Sequence, residues 1–222
     1  MQDESLIARR VLAEQVEERL LQEILGGNYP PDSRIVETRV ARQYGVSQAP
    51  VREALRSLES LGVVEILPFR GARVRRPSLS ELLEAFDVRT ELECLAARLA
   101  IPRITADDIA ELERLEGDVE KAATSGDRRE TARHDAALHT ALLRVAGSRT
   151  LERTWSAVEP FSRTYITLAT AVEGPEWTNV LHQAILHGLE ARDAQATQAA
   201  IRRHFEEAAA RLKAGWSATA GV

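Results

Sequence analysis

The sequence predicts a mainly α-helical protein of two domains, a small N-terminal domain that contains a β-hairpin and a C-terminal bundle of six helices. Apolar residues recur at the spacing of amphipathic helices over most of the 222 residues. The spacing changes to that of β-strands only in residues 63–76, where β-branched runs flank a turn. Pro77 and Ser78 then interrupt the pattern, and helical spacing resumes beyond them.

The N-terminal domain is predicted to contain three helices followed by the hairpin. Gly45 allows a tight turn between the second and third helices, and Ser47 stands at the N-cap of the third. This order is that of a winged helix-turn-helix domain, in which the third helix is the recognition helix and the hairpin is the wing. The predicted elements are helices at 6–25, 37–44 and 48–61 and strands at 63–67 and 72–76.

The C-terminal domain is predicted to be wholly helical. Ser78 with Glu81, and Thr105 with Asp108, have the spacing of capping boxes at two helix starts. The predicted helices lie at about 78–100, 105–124, 128–146, 149–172, 177–192 and 194–214, joined by short connections. The chain therefore divides into a winged domain (1–76), a linker (77–79), an all-α domain (80–215) and a C-terminal tail (216–222).

The composition excludes several classes of protein. No run approaches the roughly 20 apolar residues that a membrane helix needs, and the N-terminus lacks the apolar segment of a signal peptide. The single cysteine, Cys94, excludes an internal disulfide framework and a zinc site built from several cysteines. We therefore expect a cytoplasmic protein without a membrane partner.

The charge is divided unevenly along the chain. The net charge is −5, but residues 34–76 hold nine arginines and four glutamates, while residues 77–222 hold 17 basic and 23 acidic residues. A basic segment of this kind beside an acidic remainder is typical of a domain that binds nucleic-acid phosphates.

The candidate DNA contacts lie on the recognition helix and the wing. Gln48 and Arg52 are four residues apart and project from one helix face, where glutamine can pair with adenine and arginine with guanine. Ser47 and Thr38 could hold phosphates, and the wing could bring Gly71 and Arg73 to the minor groove. From the pattern alone, the alternative is a small α/β cap with a solvated charged face.

Residues 16–74 resemble the DNA-binding domain of the GntR family of transcriptional regulators. The resemblance rests on VEERLLQEILGGNYPPDSRIVETRVARQYGVSQAPVREALRSLESLGVVEI and on RGARV. Many members carry Arg where this chain has Gln48 and Thr where it has Ala49, so an adenine contact could replace a guanine contact. The resemblance implies that the following residues face DNA or form the wing tip: Thr38, Ser47, Gln48, Ala49, Arg52 and Gly71.

The histidines form the second candidate site. All five fall between residues 134 and 204, and Asp135 and His139 are spaced so that both could bind one ion from the same helix face. His182 and His204 lie on the last two predicted helices. One carboxylate with three imidazoles suits Zn, Ni, Mn or Fe. The alternative for each histidine alone is a satisfied core side chain or an exposed one.

Residues from about 80 to 213 resemble the all-helical FCD effector domain of the FadR-type branch of GntR regulators. The matching pieces are FDVRTELECLAARLA, HDAALHTALLRVAGS and LHQAILHGLEARDAQATQAAIRRHF. With six predicted helices, this domain resembles the shorter VanR-like subgroup more than the subgroup with seven helices. The resemblance implies a divalent metal, zinc foremost, on four residues, Asp135, His139, His182 and His204. His134 and His187 do not fall on these positions.

Arg89 is the candidate effector-binding residue. The resemblance places it facing the effector pocket, where a guanidinium could hold a carboxylate with two hydrogen bonds. The alternative is an arginine paired with Glu93 or Asp87 on a solvated face.

The leading hypothesis is a homodimeric transcriptional regulator that binds a palindromic operator and responds to a small organic acid held by the metal and Arg89. Pairing of two half-sites supplies the specificity that one recognition helix lacks. One alternative is a metal-responsive regulator in which the divalent ion is the signal. A metal-dependent hydrolase is the other alternative, but the four ligands have no evident general base beside them, so we do not expect an enzyme.

Overall fold

The computed structural model describes residues 2–68, 70–169 and 176–219 in backbone, and 11–68, 70–127, 130–159 and 180–216 in side chains as well. Contacts divide the chain into two compact units, Met1–Pro77 and Ser78–Val222. Among the helices described, none is long and apolar enough to cross a membrane.

The N-terminal unit confirms the predicted winged helix-turn-helix order. Its elements are α1 (Gln2–Leu25), β1 (Arg34–Ile35), α2 (Glu37–Tyr44), α3 (Gln48–Ser60), β2 (Val64–Leu67) and β3 (Gly71–Val74). The sheet has one strand, β1, that the sequence did not predict. It pairs antiparallel with β3, which therefore lies between β1 and β2. A strand of two residues is too short to show alternation, so periodicity could not reveal it.

The core of this unit lies between the sheet and the apolar faces of α1 and α3. Leu20 from α1, Ile35 from β1 and Leu58 from α3 are fully buried there. Gly45 ends α2 in the left-handed region, with φ of 69°. A side chain disfavours that conformation, so the glycine sets the direction in which α3 leaves the turn.

The C-terminal unit contains the six predicted helices in the part of the chain that is described. They are α4 (Leu79–Ala100), α5 (Ala106–Thr124), α6 (Arg128–Val145), α7 (Arg149–Ala169), α8 (Glu176–Glu190) and α9 (Ala194–Thr219). Both capping boxes are formed, at Ser78 and at Thr105. Helix α9 runs five residues beyond the predicted 214, because Trp216 packs against the core and Gly215 does not end the helix.

The bundle core is mostly aliphatic, but its centre is polar. Leu82, Leu112, Leu143 and Leu189 are at most 1% exposed. Eight polar or charged residues in the described part of this unit are buried, namely Arg89, Glu93, Glu116, His139, Glu159, His182, Thr197 and His204. Burial of a charged group is costly unless it is paired. The arrangement of these side chains therefore requires a chemical explanation.

Candidate functional site

Three helices bring the four predicted metal ligands together inside the bundle. Asp135 and His139 lie one turn apart on α6, while His182 comes from α8 and His204 from α9. One ligand atom from each side chain lies within 4.8 Å of the others. The Oδ1 atom of Asp135 is 3.3 Å from Nε2 of His182 and 3.8 Å from Nε2 of His139. We call these four residues the histidine cluster.

Two buried glutamates orient the imidazole rings of the cluster. Nδ1 of His139 donates to Oε2 of Glu93 at 2.6 Å, and Nδ1 of His182 donates to Oε2 of Glu116 at 2.7 Å. A carboxylate only accepts, so each of these contacts keeps a hydrogen on Nδ1 and turns Nε2 towards Asp135. Metal-binding histidines in proteins are commonly held in this way.

The sequence did not identify these glutamates as part of the site. The sequence indicates Glu93 only as an alternative partner for Arg89, and it predicts no role for Glu116. They are separated from their histidines by 46 and 66 positions, so no local spacing connects them. The available signal was an acidic residue, Glu116, on the apolar face of α5 between Leu112 and Val119.

The electrostatics of the cluster favour a protonated imidazole at His182. Burial lowers the pKa of His182, but the close contacts with the negative charges of Asp135 and Glu116 outweigh burial and raise this pKa to about 10. Burial raises the pKa of Asp135, yet the neighbouring imidazoles hold it well below its usual range. Burial, reinforced by the charges of His182 and His139, lowers the pKa of His204 well below 6.5. The metal-free cluster therefore holds an imidazolium, a carboxylate and a neutral imidazole.

The donor set of the cluster fits a divalent transition metal. The Nε2 atoms of His139 and His182 are buried and make no well-aligned hydrogen bond to any atom described. Buried polar atoms in proteins normally have partners, and a cation between these rings and Asp135 would supply one. Three imidazole nitrogens and one carboxylate suit zinc, nickel, manganese or iron.

Arg89 lies beside the cluster and not on a solvated face. Its side chain is buried, and Nη2 is 3.4 Å from Oε1 of Glu93. The guanidinium lies over the rings of Trp155 and Phe205, at 4.7 and 5.0 Å from their centroids. Its Nε atom is buried without a hydrogen bond to the residues described. The predicted pairing with Glu93 is present, but the interior position leaves donor capacity next to the histidines.

A cavity of about 20 Å³ borders His139 and His182. The rest of its lining consists of leucine and isoleucine side chains of α5, α6 and α8. A water molecule needs about 10–15 Å³, whereas pockets for organic ligands measure about 300 Å³ or more. This cavity is therefore too small for an organic acid.

The first turn of α3 presents the predicted base contacts to solvent. Ser47 is the N-cap residue, as predicted, but its side chain does not bond to the helix that it caps. Gln48 and Arg52 are exposed, and Ala49 between them is half-buried. Nε of Arg52 is 3.1 Å from Oε2 of Glu37 at the start of α2, so an ion pair fixes this guanidinium in the free protein.

The wing residues have structural partners. Gly71 has φ of 83°, and a Cβ atom there would lie 2.5 Å from the backbone oxygen of Ile35, so close strand approach already requires glycine. Arg73 pairs with Glu65 directly opposite on β2. Thr38, the remaining predicted contact, is exposed on α2.

Three further arginines lie exposed on the helix-turn-helix. Arg39 and Arg42 are on α2, and Arg56 follows Arg52 by one turn on α3. Within the range of residues described, no carboxylate pairs with any of them. Unpaired guanidinium groups on this surface are available to phosphates. The predicted DNA contacts do not include these arginines, although the spacing of Gln48, Arg52 and Arg56 continues along one helix face.

Comparisons with known proteins find one family model that matches the N-terminal unit and another that matches the C-terminal unit. The family model for bacterial regulatory proteins of the gntR family matches residues 12–74, and the model for the FCD domain matches residues 84–207.

Individual relatives extend over most of the chain. A probable D-xylose utilization operon transcriptional repressor of Paenarthrobacter nicotinovorans is 32% identical over 201 residues, which cover 89% of this chain and 87% of the relative. The HTH-type transcriptional repressor GlaR of Escherichia coli K12 is 30% identical over 200 residues, covering 84% and 89%. The solved structure of E. coli McbR/YncC has the same fold, with a TM-score of 0.83, 24% identity and coverage of 92% and 98%.

Proposed function

The chain belongs to the GntR family of transcriptional regulators with an FCD domain, and from that premise we propose a metal-containing, effector-controlled homodimer that acts in the cytoplasm. Family membership makes it a DNA-binding regulator and not an enzyme. The observation that supports metal and effector control is the buried histidine cluster with Arg89 beside it. Six helices in the effector domain agree with the VanR-like subgroup.

The DNA-binding unit would read a palindromic operator through two recognition helices. Gln48 and Arg52 are the proposed base contacts, and the exposed arginines Arg39, Arg42 and Arg56 are proposed to bind phosphates. One helix contacts only a few base pairs, so a dimer is needed to reach operator specificity.

The charges around the cluster support a divalent ion and an anionic effector. Glu93, Glu116 and Asp135 bring three carboxylates, and Arg89 brings one guanidinium. Once His182 has lost its proton, a divalent cation would balance these four charges, and it would supply a Lewis-acidic anchor for an incoming carboxylate. Arg89 would hold the same carboxylate, so an organic acid is the effector class that the site favours.

A regulator that senses the ion itself is the second candidate. The observation that favours it is the cavity of about 20 Å³ beside His139 and His182, which is too small for an organic acid. A titration of operator affinity with Zn²⁺, in the absence of organic acids, separates the two functions. If Zn²⁺ alone switches operator binding across its titration range, the ion is the signal.

Replacing Arg89 with alanine should weaken the response to the effector by at least tenfold, or about 1.4 kcal/mol. Operator binding without effector, and metal content at saturating metal, should stay nearly unchanged. Lysine should restore the response only in part, because it lacks the planar fork of donors. The measurement is the concentration of each member of a panel of small carboxylates that releases half of the bound operator DNA.

Arg98→Ala provides the matched control, since Arg98 is exposed near the end of the same helix. It should respond like the wild type. A wild-type response from Arg89→Ala, or an effector without charge, would show that the proposed anchoring is wrong.

Zinc uptake by the metal-free protein should release about one proton near pH 7. The pKa of His182 is raised to about 10, so this ring is protonated at pH 7 and must lose its proton before Nε2 can bind a cation. The apparent zinc affinity should therefore rise with pH, by up to about tenfold per unit below pH 10. Titration calorimetry in buffers of different ionisation enthalpy counts the protons, and a count of zero at pH 7 contradicts the assignment.

A further inference from the structure

Glu93 and Glu116 make the same contact with the histidine cluster. Each is at most 1% exposed. Each accepts a hydrogen bond from the Nδ1 atom of one imidazole, at 2.6 and 2.7 Å. Toward a metal ion the two glutamates are therefore equivalent, because each fixes the tautomer and the direction of one ligand.

The two glutamates differ at their second oxygen atoms. Oε1 of Glu93 is 3.4 Å from Nη2 of Arg89. Oε1 of Glu116 is buried and makes no hydrogen bond to the atoms described. Glu93 thus contacts both the guanidinium proposed to anchor the effector and the imidazole of His139, whereas Glu116 hydrogen-bonds, among the side chains described, to an imidazole alone.

We propose that Glu93 is the positioning residue that couples Arg89 to the metal, and that Glu116 is a positioning residue without this coupling. The proposal rests on the proposed function, because it assumes that the histidine cluster binds a divalent ion. It adds the path by which an anion at Arg89 changes the ion's environment.

The coupling follows from the sharing of one negative charge. While Arg89 binds Oε1, part of the charge of Glu93 is neutralised, and Oε2 is a weaker partner for the Nδ1–H of His139. An anion that draws Arg89 away leaves the full charge facing this imidazole, which increases the basicity of Nε2 and the strength of its bond to a metal. Effector and metal then strengthen each other's binding, as linkage requires.

The test uses Co²⁺ as the probe and needs no effector. Co²⁺ affinity and its visible absorption spectrum are measured for the wild type, Glu93→Gln and Glu116→Gln, and then for each of these three proteins with Arg89→Met added. Each glutamine variant should lose 10–100-fold in Co²⁺ affinity. The factor by which Arg89→Met changes the Co²⁺ affinity should be at least three times larger in the wild type than in the Glu93→Gln background. Its effect should be the same in the wild type and in Glu116→Gln.

The direct repulsion between Arg89 and the cation is present in every background and cancels from this comparison. Equal coupling of Arg89 to both glutamates would overturn the proposal, and so would unchanged Co²⁺ affinity in both glutamine variants. If the wild type itself binds no Co²⁺, the proposed function fails as well, so the two failures are distinct. ¹⁵N NMR of the metal-free proteins reports the His139 tautomer, and Glu93→Asp serves as a second variant that keeps the charge.

Discussion

Replacing His182 with alanine should lower the affinity for zinc by at least 100-fold, or about 2.7 kcal/mol. The variant loses one of four ligands, and Glu116 loses the ring that donates to it at 2.7 Å. A buried acceptor left without its donor costs about 1–3 kcal/mol, so the metal-free variant should also be less stable than the metal-free wild type. Elemental analysis after reconstitution measures the first effect, and thermal unfolding with and without chelator measures both.

The chain offers a matched control on the same helix. His187 is exposed on α8, five positions after His182, and His187→Ala should keep full metal content. The wild type at zinc concentrations about 100 times its dissociation constant should gain about 2.7 kcal/mol of stability, and His182→Ala should gain almost none. If chelation leaves the melting temperature of the wild type unchanged, the histidine cluster is not a metal site.

Replacing Arg52 with alanine should weaken binding to the cognate operator by about 1–3 kcal/mol at fixed salt, the usual contribution of a base contact with two hydrogen bonds. Arg52 is exposed on the first turns of α3, and its ion pair with Glu37 holds it in place before DNA arrives. Binding to unrelated DNA should change much less. Fluorescence anisotropy with the operator and with a scrambled duplex gives both affinities.

Arg56→Ala is the control for charge alone, because Arg56 lies one turn further along the same helix. It should weaken binding to both duplexes alike and reduce the salt dependence, as the loss of a phosphate contact does. Glu37→Gln should bind unrelated DNA more tightly, since a negative charge is removed, while specificity falls because Arg52 is no longer held. Equal losses on both duplexes for Arg52→Ala would assign it to the phosphates instead.

Local signals in the sequence predicted most of the fold. The helices of the bundle have long apolar periodicity, and caps such as Ser78 and Thr105 mark their starts. The strand β1 has only two residues and therefore no period, and the predicted end of the last helix at residue 214 falls five residues before Thr219. Each error concerns a place where tertiary packing decides the local structure.

The site was predictable only where spacing or resemblance joined its members. Asp135 and His139 share one helix face, so their proximity follows from helical geometry. Glu93 and Glu116 reach their histidines across the bundle, and only the packed structure shows these contacts. The burial of Arg89 is also a tertiary property. Glu93 lies one turn away on the same helix whether that face is exposed to solvent or buried, so the spacing alone does not reveal the burial.

The way in which the cluster is assembled also constrains how such a site can change during evolution. Five helices, α4, α5, α6, α8 and α9, each contribute at least one buried polar side chain to one connected set. Removal of one member of a buried charge network commonly costs about 3–5 kcal/mol, and a folded domain has only about 5–15 kcal/mol in total. A lineage that lost one member would therefore stand near the limit of foldability until others changed with it. Exchange of the whole set for apolar residues requires several substitutions together. Single substitutions within the set are therefore disfavoured, and the site is expected to persist even when the ligand that it recognises changes.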